Sequence, residues 1–215
     1  VNTATPVDYI TRTNSDGSVS CFVGAHNRTG HTVWQVEVRV PADKAWFETN
    51  GNWHNESDLP VLSYHWSNAA FDVAEDLRVT YPGTAEIFHD GLPGPYPINK
   101  EGVDLSFYRN NNFGGSHSYH VLGKATDFYG AYYPSDNWGM VHWSPFSDKL
   151  GKKIWYWSLA RDGAIWTDLL TDPDKGKGQY TELQSGLGYN QTGPSHFPFI
   201  VQELAAQGTE HFREK

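Results

Sequence analysis

The feature that most constrains the fold is the spacing of short apolar runs between turn-forming residues. Runs of alternating or mixed apolar character are separated by clusters of Gly, Pro, Asn and Asp, and a helical period is nearly absent. Asp16-Gly17 and Gly114-Gly115 are typical turn signals. The pattern predicts an all-β, antiparallel fold, with candidate strands at 33–40, 45–50, 62–69, 77–80, 85–89, 118–122, 128–133, 139–143, 153–158 and 180–187.

The 215-residue length and the lack of an internal repeat or linker predict a single domain over residues 1–215. Residues 91–104 and 169–179 are predicted to be long loops, where binding residues often lie. The end of the chain, from Phe199, is the one helix-compatible segment. Its polar tail, from about residue 205, is expected to fray.

Charge and composition exclude several classes of partner. The net charge is −9 and the Lys and Arg residues are scattered, so we expect no nucleic-acid partner. No apolar run approaches the roughly 18 residues of a membrane span, so we expect no membrane partner. Metal-ligand and phosphate-loop motifs are missing, which predicts no metal and no cofactor. The single Cys21 leaves a periplasmic or secreted location and a cytoplasmic one open.

Aromatic residues make up 15% of the chain, and five of its nine tryptophans fall between positions 138 and 166. In the run "KKIWYWS", a strand would project Trp155 and Trp157 from one face and Tyr156 from the other. A strand buried between two layers is one interpretation. The other is a cleft in which indole rings stack on a sugar ring, which has apolar C–H faces and hydroxyl edges.

Polar residues near these runs could supply acid–base chemistry. The strand "YTELQSG" places Glu182 and Gln184 on one face, and "MVHW" contains His142. A carboxylate and an imidazole are suited to proton transfer near neutral pH. In "SYHWSNAA", His65 and Trp66 fall on opposite faces of a strand. A solvent-facing Glu and structural His residues are the alternatives.

Several motifs, in order, resemble the domain of unknown function 5107 group of the galactose-mutarotase-like superfamily. They include "NESDLPVLSYHWSNAA", "PGTAEIFHDG", "DFYGAYYPSDNWGMVHWSP", "LGKKIWYWS", "GQYTELQSGLGYNQ" and "SHFPFIVQEL". The resemblance covers roughly residues 6–204. It implies an antiparallel β-supersandwich that binds sugars across one large sheet. In mutarotase relatives a His protonates the ring oxygen and a late Glu removes the anomeric hydroxyl proton.

Transferred to this sequence, the resemblance implies that Glu182 is the base or nucleophile and that His142 or His65 is the proton donor. Stacking is assigned to Trp66, Trp143, Trp155 and Trp157, and hydroxyl recognition to Asn68, Arg161, Gln184 and Gln191. The function so predicted is carbohydrate-active, acting at an anomeric carbon by glycoside hydrolysis or epimerisation. A non-catalytic carbohydrate-binding or structural domain of a larger protein is the alternative.

The sequence departs from this group at its start. Longer relatives carry an upstream half with Glu-Phe-Asn-Trp-Pro and His-His-Arg-Pro segments, and this chain begins after the point where that half would end. The resemblance therefore implies a partial domain. We expect the missing N-terminal half, or a homo-oligomer, to complete it.

Overall fold

A computed structural model describes residues 6–88, 92–112, 116–122, 125–157, 160–170, 179–188 and 202–215. Strands account for 53% and helix for 6% of the residues that the structure describes, and the strand pairings among them are antiparallel. The prediction of an all-β, antiparallel fold is confirmed. Among the described residues no helix has the length and apolarity needed to cross a membrane.

The elements follow one another in chain order. They are β1 (Asp8–Thr13), β2 (Val19–Asn27), β3 (Thr32–Val40), β4 (Glu48–Asn55), β5 (Val61–Ser63), β6 (Trp66–Asp72), β7 (Arg78–Thr80), β8 (Ala85–Ile87), β9 (Pro93–Pro95), a 3-10 turn (Tyr108–Asn110), β10 (Ser116–Leu122), β11 (Phe128–Tyr133), β12 (Trp138–Trp143), β13 (Gly151–Trp157), α1 (Arg161–Leu170), β14 (Tyr180–Gly186), β15 (Gln202–Leu204) and β16 (Thr209–Glu214).

The chain forms two compact units, and the prediction of one domain over residues 1–215 stays a prediction. The first unit consists of Val1–Tyr64, Trp143–Asp148 and Val201–Lys215. It contains a five-stranded sheet in the order β1-β2-β3-β4-β16 and the two-stranded pair β15-β5. Strand β1 lies at the edge of this sheet, and all of its residues are exposed. A strand without a buried face does not need the alternation of apolar and polar residues by which strands are predicted from sequence.

The prediction of a helix at the end of the chain is wrong, because Thr209–Glu214 is a strand, and fraying of the tail stays a prediction. Strand β16 pairs with β4 along its whole length, with Phe212 opposite Gly51. The Phe212 ring is buried and packs against the ring of Trp53, at 5.5 Å between centroids. A Cβ added at Gly51 would lie 1.9 Å from the Phe212 ring. Glycine at position 51 therefore makes the space that anchors the tail.

The second unit, His65–His142 and Lys149–Ile200, contains the main hydrophobic core. Its six-stranded sheet has the order β6-β14-β13-β10-β8-β9, and a three-stranded sheet has the order β12-β11-β7. The core includes Leu77, Val79, Tyr129, Ile154 and Leu183, all without exposed surface. Its residues come from both sheets, and the burial of these apolar side chains stabilises the strands that carry them.

The one α-helix within the described residues, α1, lies where the sequence showed no helical period. The helix begins at Arg161 and contains Gly163 near its start, although glycine is a poor helix former. Asp162 in the first turn favours a helix start, because a carboxylate interacts well with the free N–H groups there.

Candidate functional site

Neighbouring strands of the six-stranded sheet align the predicted acid and the predicted indoles. In the ladder between β13 and β14, Trp155 lies opposite Glu182 and Lys153 lies opposite Gln184. Between β14 and β6, Gln184 lies opposite Asn68. Residues directly opposite each other in an antiparallel pair project from the same face. We call this surface the indole face; it consists of Trp66, Asn68, Lys153, Trp155, Trp157, Glu182 and Gln184.

The reverse side of these strands explains why the indole face points away from the core. Ile154, Tyr156 and Leu183 alternate with the residues of the indole face and are fully buried in the hydrophobic core. Because side chains alternate along a strand, burying this set commits Trp155 and Glu182 to the other side. Both of these residues are half-buried, and Asn68 is exposed. Solvent therefore reaches this face at Glu182, Asn68, Trp155 and Trp66, the last of which is also half-buried.

Trp66 lies across two glycines of the neighbouring strands. Gly186 is opposite Trp66, and Gly151 is opposite Gly186. A Cβ added at Gly186 would be 2.3 Å from Cε2 of the indole, and one added at Gly151 would be 2.7 Å from its Cη2. The two glycines let the ring lie close against the backbone, which is a recognised use of glycine in a strand.

Glu182 and Gln184 form a linked polar pair. The side-chain amide of Gln184 donates a hydrogen bond from Nε2 to Oε2 of Glu182. Gln184 is 4% exposed, and its Oε1 accepts no hydrogen bond from the part of the chain that the structure describes. A buried acceptor without a donor is destabilising unless a ligand or water supplies one. The pair thus combines an oriented carboxylate with an acceptor for a ligand hydroxyl.

Lys153 is a functional candidate that the sequence analysis missed. It is 1% exposed, and its Nζ lies 4.5 Å from the centre of the Trp155 ring and 6.0 Å from that of Trp66. Burial lowers the pKa of Lys153 to about 7, although the nearby Glu182 carboxylate favours the charged form. The signal that could have found it is its two-residue spacing from Trp155. A lysine near neutral pKa can donate or accept a proton.

The two tryptophans of β13 differ in exposure. Their ring centroids are 5.7 Å apart at 75°, an edge-to-face arrangement. Trp157 is 7% exposed and its ring also meets Tyr180 at 5.7 Å. Trp155 is half-buried. Trp155 therefore has ring surface to offer a ligand, whereas Trp157 supports it from the side.

The two predicted imidazoles lie in different surroundings. His142, on β12, is buried, and its ring centre lies 5.2 Å from that of Tyr129 at 70°. Tyr129 belongs to the hydrophobic core behind the sheet, on the side away from Glu182. The structure therefore does not bring His142 to the indole face. His65 is half-buried and immediately precedes Trp66.

Three other predicted binding residues are not among those that form the indole face. Trp143 belongs to the first unit, where the guanidinium of Arg213 and the Nζ of Lys215 lie 5.3 and 5.5 Å from its ring centre. Arg161 is exposed at the start of α1. Gln191 lies outside the described residues. Roles in hydroxyl recognition or stacking stay predictions for these three.

Solved structures show where this fold occurs. The chain matches a TPR-domain containing protein from Parabacteroides distasonis with a TM-score of 0.77 at 23% identity, over 97% of this chain and 34% of that one. It matches a proposed aldose 1-epimerase from Klebsiella pneumoniae with a TM-score of 0.68 at 12% identity, over 97% of this chain and 52% of that one. It matches a galactose mutarotase related enzyme from Lactobacillus acidophilus with a TM-score of 0.57 at 10% identity, over 97% of this chain and 70% of that one.

These likenesses establish the fold as galactose-mutarotase-like, as the sequence predicted. The chain spans about a third of the length of the first of these proteins and about half of the second. A family model described as "Domain of unknown function (DUF5107)" matches residues 1–214. The chain therefore belongs to the domain of unknown function 5107 family, within a galactose-mutarotase-like fold.

Proposed function

We propose that the indole face binds a sugar and that the domain acts at the anomeric carbon of that sugar. The observation that supports this most strongly is the ladder position of Glu182 directly opposite Trp155. An indole ring stacks on the C–H face of a pyranose, and a carboxylate beside it reaches the hydroxyl edge. Asn68 supplies a further group for hydroxyls, and so does Oε1 of Gln184, which has no hydrogen-bond partner among the described residues.

The reaction that this face supports best is epimerisation. Glu182, oriented by Gln184, takes the proton of the anomeric hydroxyl, while an acid gives a proton to the ring oxygen. The bond between the ring oxygen and the anomeric carbon breaks to give the open-chain aldehyde, which recloses on either face. Lys153, which lies on the indole face opposite Gln184, is the proton donor that we assign to this step, and His65 is kept as the alternative from the sequence. Glycoside hydrolysis would require a second carboxyl group as partner to Glu182.

The test is interconversion of α- and β-anomers, measured by magnetisation-transfer NMR on a panel of reducing sugars, with aryl glycosides tested in parallel. The variants are Glu182→Gln and, as a matched control, Glu75→Gln, because Glu75 is exposed in the same unit. We expect the Glu182 variant to lose at least about a hundredfold in rate and the control to match wild type. Equal rates in both variants would contradict the proposal.

A second candidate is a non-catalytic carbohydrate-binding or structural domain. The observation that favours it is the match to 34% of a longer TPR-domain containing protein. Such a domain would bind sugar without turnover. Binding in wild type with no interconversion and no hydrolysis for any sugar of the panel would support this second candidate.

A further inference from the structure

A cavity lies in the same unit as the indole face, at the hairpin of β8 and β9. Its volume is about 380 Å³, and its lining includes Glu86, Phe88, Gly94, Asn99, Glu101 and Leu105. In the ladders, Ile87 lies opposite position 120, which lies opposite Lys153. Ile87 therefore shares a side of the sheet with the indole face, and its neighbour Glu86 projects from the reverse side. The cavity is distinct from the site proposed above.

Glu86 is an unusual residue for the wall of a cavity. The side chain has no exposed surface, and neither carboxyl oxygen has a hydrogen-bond partner in the part of the chain that the structure describes. A buried carboxylate without a partner is strongly disfavoured. Burial accordingly raises the pKa of Glu86 to about 8. The buried Tyr96 phenol lies near enough for the Glu86 charge to raise the pKa of that phenol too.

Glycine at position 94 keeps the cavity open next to this carboxyl group. Gly94 lies opposite Glu86 in the hairpin. A Cβ added there would lie 3.1 Å from Oε1 of Glu86 and 2.8 Å from the ring of Phe88. Any other residue would therefore fill the space between the carboxyl group and the cavity.

We propose that this cavity binds the ammonium group of a small organic amine through the carboxylate of Glu86. An ammonium group carries three hydrogen-bond donors and one positive charge, and so it can satisfy both carboxyl oxygens of Glu86, which find no donor among the described residues. Glu101 adds a second carboxylate to the lining, and Lys100, which also belongs to the lining, is exposed to solvent. Phe88 and Leu105 offer apolar surface for the carbon skeleton of the ligand.

The proposal has a proton balance that can be measured. Near pH 7 the Glu86 carboxyl group is mostly protonated, so binding of an ammonium ion that converts it to the carboxylate releases one proton to solvent. A neutral ligand held by the protonated carboxyl group would release none. Proton release therefore separates charge recognition from simple filling of the cavity.

The experiment compares cyclohexylammonium with cyclohexanol, which has a similar shape and no charge. Binding is measured by protein-observed NMR titration, and proton release by a pH electrode in unbuffered salt at about pH 7. We expect cyclohexylammonium to bind with a millimolar dissociation constant, in keeping with about 7 heavy atoms of ligand. We expect about one proton released per site, and at least about tenfold weaker binding by cyclohexanol.

Variants locate the site and keep its test separate from that of the sugar site. Glu86→Gln should weaken amine binding at least about tenfold and abolish proton release, with folding checked by circular dichroism. Glu182→Gln should leave both unchanged, whatever it does to sugars. The proposal is overturned if wild type releases no proton, if cyclohexanol binds as well as the amine, or if neither probe binds at about 50 mM.

Discussion

Glu182 and Trp155 lie directly opposite each other in the antiparallel ladder of β14 and β13, so a carboxylate and an indole project together from one side of the sheet. The fully buried Leu183 and Ile154 form the next pair of the same ladder. A slip of one residue in this register would expose that apolar pair and bury the acid. The stability of the core therefore maintains the geometry of the candidate site.

The first prediction concerns stacking by Trp155. Trp155→Ala should weaken sugar binding about 3- to 10-fold, because an aromatic contact is worth about 0.5–1.5 kcal/mol beyond its buried area. The matched control is Trp138→Ala, since Trp138 is 54% exposed and lies on β12. Titration calorimetry with the best ligand of the panel measures both. Equal losses in the two variants would show that Trp155 has no specific role.

The second prediction tests the packing of Trp66 on glycine. Gly186→Ala should destabilise the protein by about 1–3 kcal/mol, because the new methyl group overlaps the indole. In a Trp66→Ala background the same change should cost much less. Urea unfolding of the four variants gives the coupling energy of this cycle. A coupling energy near zero would mean that the indole does not lie on Gly186 in solution.

The third prediction is a pH dependence of stability set by Lys153. Its pKa is lowered on folding, from 10.5 to about 7, so the unfolded state binds the proton more tightly. Stability relative to Lys153→Met should therefore be greatest above pH 10.5 and fall as the pH drops through 7. Urea unfolding from pH 6 to 11 measures the difference. A difference that stays constant with pH would contradict a buried, perturbed lysine.

The fourth prediction has the opposite sign and concerns Glu86. Its pKa is raised on folding, from 4.5 to about 8, so the folded state binds the proton more tightly. The contribution is fully present below pH 4.5 and is lost as the pH rises through 8. Wild type should therefore lose stability relative to Glu86→Gln across this window. Parallel curves for the two proteins would indicate an ordinary, hydrated carboxyl group.

The fifth prediction separates the two imidazoles. His142→Ala should destabilise the protein by about 1–3 kcal/mol, because it leaves a void beside Tyr129, and should keep the rate of anomer interconversion. His65→Ala should lower that rate about 10- to 100-fold if the imidazole shares the donor role with Lys153. NMR rates and unfolding curves distinguish these outcomes. Loss of rate in His142→Ala at unchanged stability would restore His142 as the acid.

Local pattern predicted the strands that supply the fully buried core residues, namely β7, β11, β13 and β14. The β11 prediction, 128–133, matches the structure residue for residue, and the alternation of Trp155 with Tyr156 is confirmed. Strand β1 was not predicted, because both of its faces are exposed and its sequence lacks an apolar alternation. The helix-compatible tail is a strand because Phe212 finds space over Gly51, a long-range contact that local sequence cannot show.

The candidate site was predictable only in part. Period-two alternation placed Glu182 and Gln184 on one face, but it could not say which strand lies alongside. The register with β13 adds Lys153, which the sequence did not single out, and the register with β6 puts the predicted Trp66 and Asn68 on the same face as Gln184. His142 was grouped with Glu182 by chemistry alone, and the side of the sheet on which a residue lies depends on tertiary packing.

The most direct measurement of the central claim is a titration of the protein with sugars, followed through the indole N–H resonances of its tryptophans. The account predicts that the signals of Trp155 and Trp66 shift with a common dissociation constant, and that Trp53, on β4 of the other unit, does not respond. Sugar-dependent shifts confined to tryptophans outside the indole face, with Trp155 and Trp66 unchanged, would contradict it.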